Sequence, residues 1–334
     1  MSEIMLVCLI CTYNHKNSIA KAIESVLEQK TNFKFQIWVL DDASTDGTSD
    51  IIKEYADKYP EIVIPFINKT NKGASKNTFE VLKKINSKYF ATLDGDDYWC
   101  DENKLQIQVD ILENNPDCSF CAHNTIKKYP NNENNIHNNE PYVKLKIKSG
   151  KWSFPKSLKN LKITNSYLEP HLSSRVYRVS CLNLDKVNDP FIISYDTAVT
   201  FWFLQFGKMY YLDKIMSVYN YTFKGVYSGK NLQQKHYMGA AAVNKINKAL
   251  NYKYNDMFLD FFKTKVPVSF FESIKIKYFT DKKDLDNVYC KILDKYITDE
   301  NKRLNSKILK TIKLPLSKRK TLCIDIRREK KEAV

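Results

Sequence analysis

Residues 4–115 predict an α/β fold built on a mainly parallel sheet. Three observations carry this. Apolar runs of strand length alternate with segments whose apolar residues recur at helical spacing. The connections between them are short, and in such an alternation that means parallel strands with helices on both faces. Each strand also runs into a polar segment, at the edge where open α/β sheets bind their ligands.

The elements follow in order. Leu6–Cys11 is the first apolar run, and Ile19, Ala22, Ile23, Val26 and Leu27 then mark a helix with Asn17 or Ser18 as its cap. Phe35–Leu40 is a second strand, Ile51, Ile52, Tyr55 and Tyr59 trace a second helix, and Ile62–Ile67 is a third strand. Phe79, Leu82 and Ile85 give a third helix, Tyr89–Leu93 a fourth strand, and a further helix starts near Glu102. Beyond residue 116 the pattern loosens. Cys118–Ala122 and Ser173–Tyr177 have strand character, Thr197–Phe206 is an apolar, aromatic helix, and Asn131–Asn139 reads as a surface loop. From Lys235 onward the pattern is helical and rich in Lys.

Composition narrows the classes. An apolar fraction of 43% over 334 residues supports a sizeable core and excludes wholesale disorder. No segment approaches the roughly 18 apolar residues of a membrane span, and Ile4–Cys11 lacks the basic flank and cleavage site of a signal peptide. The expected location is cytoplasmic. Cys8/Cys11 and Cys118/Cys121 have C-x-x-C spacing. Both pairs fall in strands, where residues three apart point to opposite faces, so buried reduced thiols are expected over zinc.

The polar segments after the strands are specific. Thr12-Tyr13-Asn14 follows the first, Asp41–Thr48 the second, Asn71–Asn77 the third and Asp94-Gly95-Asp96-Asp97 the fourth. None carries the glycine spacing of a dinucleotide fold or the Walker lysine loop. Three carboxylates in four residues repel one another unless something neutralises them. A hard divalent cation does so, and oxygen ligands favour Mg²⁺ or Mn²⁺. An acidic turn capping the following helix is the alternative reading of the same residues.

Leu6–Asn14, Val39–Thr48 and Phe90–Asp97, in this order and spacing, resemble the family 2 glycosyltransferases of the GT-A fold, whose sheet is Rossmann-like. The resemblance covers about residues 4–230. It implies an inverting hexosyltransferase that takes a sugar from a nucleotide-diphosphate donor. In that reading Thr12, Tyr13 and Asn14 line the donor site, with Tyr13 stacking on the base. Asp42 accepts a base N–H, which favours a UDP-sugar. Asp96 and Asp97 of the DXD motif hold Mn²⁺ or Mg²⁺, and Asp94 points towards the ribose or the metal shell. Lys76 stands where the family commonly has Arg; it neutralises phosphate but cannot form a bidentate fork. Asp196, opening an aromatic helix, is aligned with the family's catalytic base, with Tyr195 in the usual Glu place. A carboxylate there can deprotonate an acceptor hydroxyl; capping the helix is its other use. Ser217–Gly229 resembles the family's Tyr-Arg-x-His loop, with Thr222 at the His position and Lys224 or Lys230 as substitutes. His123 and His171 read as structural or solvated.

The charge excess of +15 divides unevenly. Residues 301–334 hold twelve Lys and Arg against three acids, a net +9, which leaves +6 for the rest. Leu304, Ile308, Leu309 and Ile312 share one helical arc and the basic residues the other, up to Pro315. A cationic amphipathic helix of this kind either lies on an anionic membrane surface or packs on the catalytic domain. The domain reading is a glycosyltransferase domain over 1–230, with a donor half over 1–115 and an acceptor half over 116–230, then a helical basic region over 231–334. The implied partners are the nucleotide-sugar donor, a glycan or lipid-linked glycan acceptor of capsule or lipooligosaccharide synthesis, and the inner face of the cytoplasmic membrane. The alternatives are transfer to polyprenyl phosphate and a non-catalytic basic protein that binds nucleic acid or a membrane. No nucleic-acid module is recognisable.

Overall fold

A computed structural model describes residues 3–129, 139–143, 148–153, 170–187, 190–193, 196–221, 246 and 249–250, and the backbone of three later strands. The chain divides into two compact units, Met1–Phe154 with Ser166–Gly229, and Pro155–Asn165 with Lys230–Val334.

The first unit is an α/β structure. In chain order it contains β1 (Leu6–Thr12), α1 (Ile19–Leu27), β2 (Phe35–Asp41), α2 (Thr48–Lys58), β3 (Val63–Ile67), α3 (Ala74–Leu82), β4 (Tyr89–Asp94), β5 (Tyr98–Trp99), α4 (Lys104–Glu113) and β6 (Cys118–Lys128). After these come β7 (Glu140–Pro141), β8 (Gly150–Trp152), β9 (Val176–Arg178), α5 (Asp196–Leu204) and β10 (Lys208–Asn220). One sheet runs β3-β2-β1-β4-β9-β6-β10-β5, with β7 added on β6 and β8 on β10. The first four strands are parallel, and β9 enters antiparallel between β4 and β6. β1 lies between β2 and β4 and is buried along almost its whole length, as expected of a central parallel strand. Pro65 is tolerated because β3 is an edge. Leu6, Cys8, Ile10, Ile23, Val39, Leu93 and Leu105 belong to the core between this sheet and the helices α1 and α4.

Several local expectations change. Ser18 precedes α1, but its hydroxyl donates to the carbonyls of Gly95 (2.9 Å) and His15 (3.3 Å) instead of accepting a helix N–H. Ser173 and Ser174 form a 3₁₀ turn ahead of β9, because the Ser174 hydroxyl bonds back to the His171 carbonyl at 2.6 Å. Lys76 lies in the first turns of α3 and not in a loop; Gly73, at φ +81°, precedes that helix. β10 has no counterpart in the sequence reading, since its register against β6 shifts around Leu212–Ser217 and its alternation is broken there.

Both C-x-x-C pairs are free thiols, with Cys8, Cys118 and Cys121 buried. In the second unit β11 (Ile274–Ile276), β12 (Thr311–Leu316) and β13 (Lys320–Ile326) form an antiparallel sheet in the order β11-β13-β12. The expected cationic helix is therefore corrected over 311–316. Ile312, Leu314 and Leu316 alternate with Thr311, Lys313 and Pro315, which is the strand period. Its earlier residues, the loop over 131–138, and Tyr195, Thr222, Lys224 and Lys230 lie outside the described residues. Among the described residues no helix is long and apolar enough to cross a membrane.

Candidate active site

The sheet places the first and fourth polar segments side by side. Cys11 of β1 is in register with Asp94 of β4, and the Gly95 N–H donates to the Cys11 carbonyl at 2.8 Å. On the other side Thr12 pairs with Asp41 of β2. Tyr13 emerges here 45% exposed, an aromatic surface beside the strand ends. Asn14 adopts φ +56°, a conformation Asn tolerates. Its Oδ1 accepts the Thr45 N–H at 2.8 Å and its own N–H donates to Ser44 Oγ at 2.8 Å, so the loops after β1 and β2 are joined. Thr12 Oγ1 pairs with His15 Nδ1 at 3.2 Å.

Asp41 and Asp42 are both buried but face different partners. Asp41 accepts the hydroxyls of Ser44 and Ser49 and stabilises its own turn. Asp42 Oδ1 accepts from Lys72 N–H (2.8 Å) and Asn68 Nδ2 (3.0 Å), and Oδ2 from Gly73 N–H (2.7 Å). It thereby ties the segment after β3 to the end of β2. Lys76 is exposed beyond it, while its neighbour Asn77 is buried and accepts from Asn68 Nδ2 at 2.9 Å.

The acidic turn is built around Gly95. A Cβ there would meet Thr12 Oγ1 at 2.7 Å and His15 Nδ1 at 2.9 Å, so the turn can lie against β1 only without a side chain. Asp97 is buried. Its Oδ2 accepts the Ser173 hydroxyl at 2.7 Å and its Oδ1 the Asn220 N–H at 3.1 Å. His171 Nδ1 lies 3.5 Å from Asp97 Oδ2. One ligand atom from each of Asp94, Asp97 and His171 falls within 4.8 Å of the others, and among the described residues no other such group forms. Asp96, expected beside Asp97 at a metal, is not one of that group; its Oδ2 is half-buried, 4.0 Å from His15 Nε2, and its charge acts on Asp94, Asp97 and His171.

Electrostatics follow from this crowding. Burial, then the charges of Asp96 and Asp196, push the Asp94 carboxyl up to about 8. Burial with Asp96 and Asp94 pushes Asp97 well above the ordinary carboxylate range. Burial and the nearby Arg175 push His171 down to about 3, so its imidazole is neutral. Two crowded carboxyls whose ionisation is held back by burial and mutual repulsion, with one neutral imidazole, fit a divalent cation, which would stabilise the ionised form of both acids. The nitrogen donor makes the set more suited to Mn²⁺ than an all-oxygen one.

Asp196 opens α5. Burial pushes its carboxyl up, opposed by Arg175, and its charge is felt at Asp94, which puts it beside the acidic group. Tyr219 of β10 stacks on the His171 ring at 4.4 Å, and Tyr142 meets the same ring edge-on at 5.1 Å. The sequence reading brings out Thr12, Tyr13, Asn14, Asp42, Lys76, Asp94, Asp96, Asp97 and Asp196, and all but Lys76 lie around these strand ends. It reads His171 as structural or solvated, near the acceptor side, takes Asn220 only as part of the Ser217–Gly229 loop, and gives no role to Ser173 or Arg175. The signal available was His171-Leu172-Ser173-Ser174-Arg175, a dense polar run leading straight into an apolar strand.

The profile of glycosyl transferase family 2 matches residues 7–183. The chain belongs to that family. A dTDP-rhamnosyl transferase of Shigella flexneri is 34% identical over 133 residues, 38% of this chain and 44% of the relative. An Escherichia coli UDP-Glc:α-D-GlcNAc-diphosphoundecaprenol β-1,3-glucosyltransferase is 31% identical over 160 residues, 48% of this chain and 57% of the relative. Uncharacterised mycobacterial proteins match at 39% identity over 112 residues, 32% of their length. The chain thus spans less than two thirds of each of these relatives. The fold is also that of a mannosyltransferase from Pyrobaculum calidifontis, solved with GDP-Man and Mn²⁺, at TM-score 0.51 and 12% identity over 90% of this chain and 76% of that one. As a family 2 member with a mostly parallel α/β sheet, the chain has a fold of GT-A type.

Proposed function

We propose that this chain is an inverting glycosyltransferase of polysaccharide biosynthesis. It moves a hexose from a pyrimidine nucleotide-diphosphate donor, a UDP-sugar first, to a hydroxyl of a glycan or lipid-linked glycan. The observation that carries the reading is the Asp94–Asp97–His171 group set at the end of β4, with the exposed Tyr13 after β1 and the half-buried Asp196 at the start of α5. The relatives that act from UDP-Glc and dTDP-rhamnose support the donor class.

In this reading Tyr13 stacks on the base and Asp42 receives its N–H. Asp94, Asp97 and His171 hold Mn²⁺ or Mg²⁺, which when bound neutralises charge on the leaving diphosphate. Asp96, next to them but turned to His15, adds negative charge and keeps His15 in place. Lys76 lends a further positive charge to the phosphates. Asp196 accepts the proton of the acceptor hydroxyl as the new oxygen–anomeric carbon bond forms. The anomeric carbon–phosphate oxygen bond breaks, and the nucleoside diphosphate leaves with its electron pair. Burial makes Asp196 a stronger base than an exposed carboxylate.

The test separates donor binding from transfer. With UDP-glucose, dTDP-rhamnose and GDP-mannose as probes, Asp97→Asn should abolish the Mn²⁺-dependent thermal shift by the preferred donor. Asp196→Asn should keep that shift and lose transfer. An Asp196→Asn chain with full transfer rates removes Asp196 as the base; an undiminished Mn²⁺-dependent shift in Asp97→Asn removes the metal assignment.

A further inference from the structure

Arg175 is fully buried, directly ahead of β9, and neither a donor contact nor a proton step has been given to it. Its backbone and side chain reach three elements that carry site residues. Its carbonyl accepts the Thr92 N–H at 3.4 Å, two residues before Asp94 on β4. Its Nε donates to the Pro170 carbonyl at 3.1 Å, and its Nη2 to the same oxygen, immediately before His171. Its Nη1 donates to the Asp196 carbonyl at 3.0 Å and to Tyr177 Oη at 3.4 Å. That Asp196 carbonyl also accepts the Thr200 hydroxyl at 2.7 Å, so the first turn of α5 is held from both sides.

A guanidinium suits this task because its donors are fixed in one plane. A lysine ammonium would reach one of these carbonyls but not hold two at a set spacing. The other arginine of the region, the half-buried Arg178, does something different. It donates to the carbonyls of Cys118 (2.7 Å), Asn115 (3.3 Å) and Leu112 and to Tyr89 Oη (3.0 Å), closing the end of α4 away from the acidic turn.

We propose that Arg175 is a positioning residue. It clamps the His171 turn to the start of α5 and so sets the distance between Asp196 and the Asp94–Asp97–His171 group. This rests on the reading of Asp196 as the base. It predicts that loosening Arg175 lowers turnover without weakening donor binding, because the base is misplaced while the donor site stays intact.

The experiment compares Arg175→Lys with Arg178→Lys in the full chain. Amide hydrogen exchange, which needs no substrate, should rise about tenfold or more in both His171–Ser174 and Thr197–Thr200 for Arg175→Lys. It should stay unchanged there for Arg178→Lys. With the nucleotide sugar that gives the fastest Mn²⁺-dependent nucleotide release, Arg175→Lys should lower kcat about 10- to 100-fold and leave donor KM within about twofold. In an Asp196→Asn background the same substitution should cost less than about threefold, since its effect passes through Asp196. Unchanged exchange in either segment, a loss expressed in KM, or an equal loss in both backgrounds overturns the proposal while the base assignment stands. Full activity of Asp196→Asn overturns the base assignment, and the exchange data still decide whether Arg175 is the clamp. Should Arg175→Lys not fold, Tyr177→Phe removes one Nη1 partner inside the aromatic core. It should lower kcat by about two- to fivefold at constant KM, and an unchanged kcat overturns the proposal.

Discussion

The Ser173 hydroxyl donates to Asp97 Oδ2 at 2.7 Å while its oxygen accepts the Asp94 N–H at 3.2 Å. One small side chain thus fixes both ends of the acidic turn against the 3₁₀ segment that carries His171. Trp99 Nε1 holds the Ser173 carbonyl at 2.8 Å, so Ser173 is anchored in turn.

Ser173→Ala removes one of the two hydrogen bonds to the buried Asp97 carboxylate and takes the hydroxyl acceptor from the Asp94 N–H. Stability should fall by about 1–3 kcal/mol, read from denaturant melts. Mn²⁺ affinity should fall about 10- to 100-fold, read by titration with electron paramagnetic resonance. Unchanged Mn²⁺ affinity would show that the turn keeps its geometry without this hydroxyl.

His171→Ala tests the mixed donor set. Removing the imidazole leaves oxygen ligands alone, so the affinity for Mn²⁺ should fall more than that for Mg²⁺. Isothermal titration with each metal measures the ratio, and equal losses for both ions count against His171 as a ligand.

Gly95→Ala puts a methyl group 2.7 Å from Thr12 Oγ1 and 2.8 Å from Thr12 Cβ. The turn must move off β1, at a cost of about 1–3 kcal/mol. A lower melting temperature with loss of Mn²⁺-dependent donor binding is expected. A variant that binds donor normally would mean the turn tolerates a second position.

Lys104 supplies a pH signature away from the site. Its Nζ is buried without a hydrogen-bond partner and lies 3.8 Å from the centre of the Trp99 ring. Burial pushes it down to about 7 from 10.5. Between those values the unfolded chain binds the extra proton, so stability rises with pH from about 7 towards 10.5, by an amount on the order of 4 kcal/mol. Lys104→Met should flatten that slope and raise stability at pH 7. Urea melts across this range measure both, and an unaltered slope in the variant assigns the effect to another group.

Legibility varied with the locality of the signal. β1, β2 and β4 were readable because a central parallel strand is an unbroken apolar run, as in Leu6–Cys11. The acidic turn was readable because three carboxylates in four residues are rare without a purpose. β10 was not, because its bulges around Leu212–Ser217 break the period of two. His171 and Arg175 were not, because their roles depend on a turn whose Ser173 lies 74 residues beyond Trp99 along the chain and meets it only in the fold. The tail beyond residue 300 misled because its apolar residues satisfy both periods over Ile308–Ile312, and only the stretch after Thr311 alternates cleanly.

The three bonds received by Asp42 have a consequence for how a ligand is met. Asn68, Lys72 and Gly73 are already drawn onto the end of β2 in the free chain. The conformational entropy of that wall is lost during folding, and an arriving nucleotide has no loop to organise there. In the proposed function, capture at this edge is then a rigid-body encounter, in which shape is fixed beforehand and selectivity comes from what the preset wall refuses.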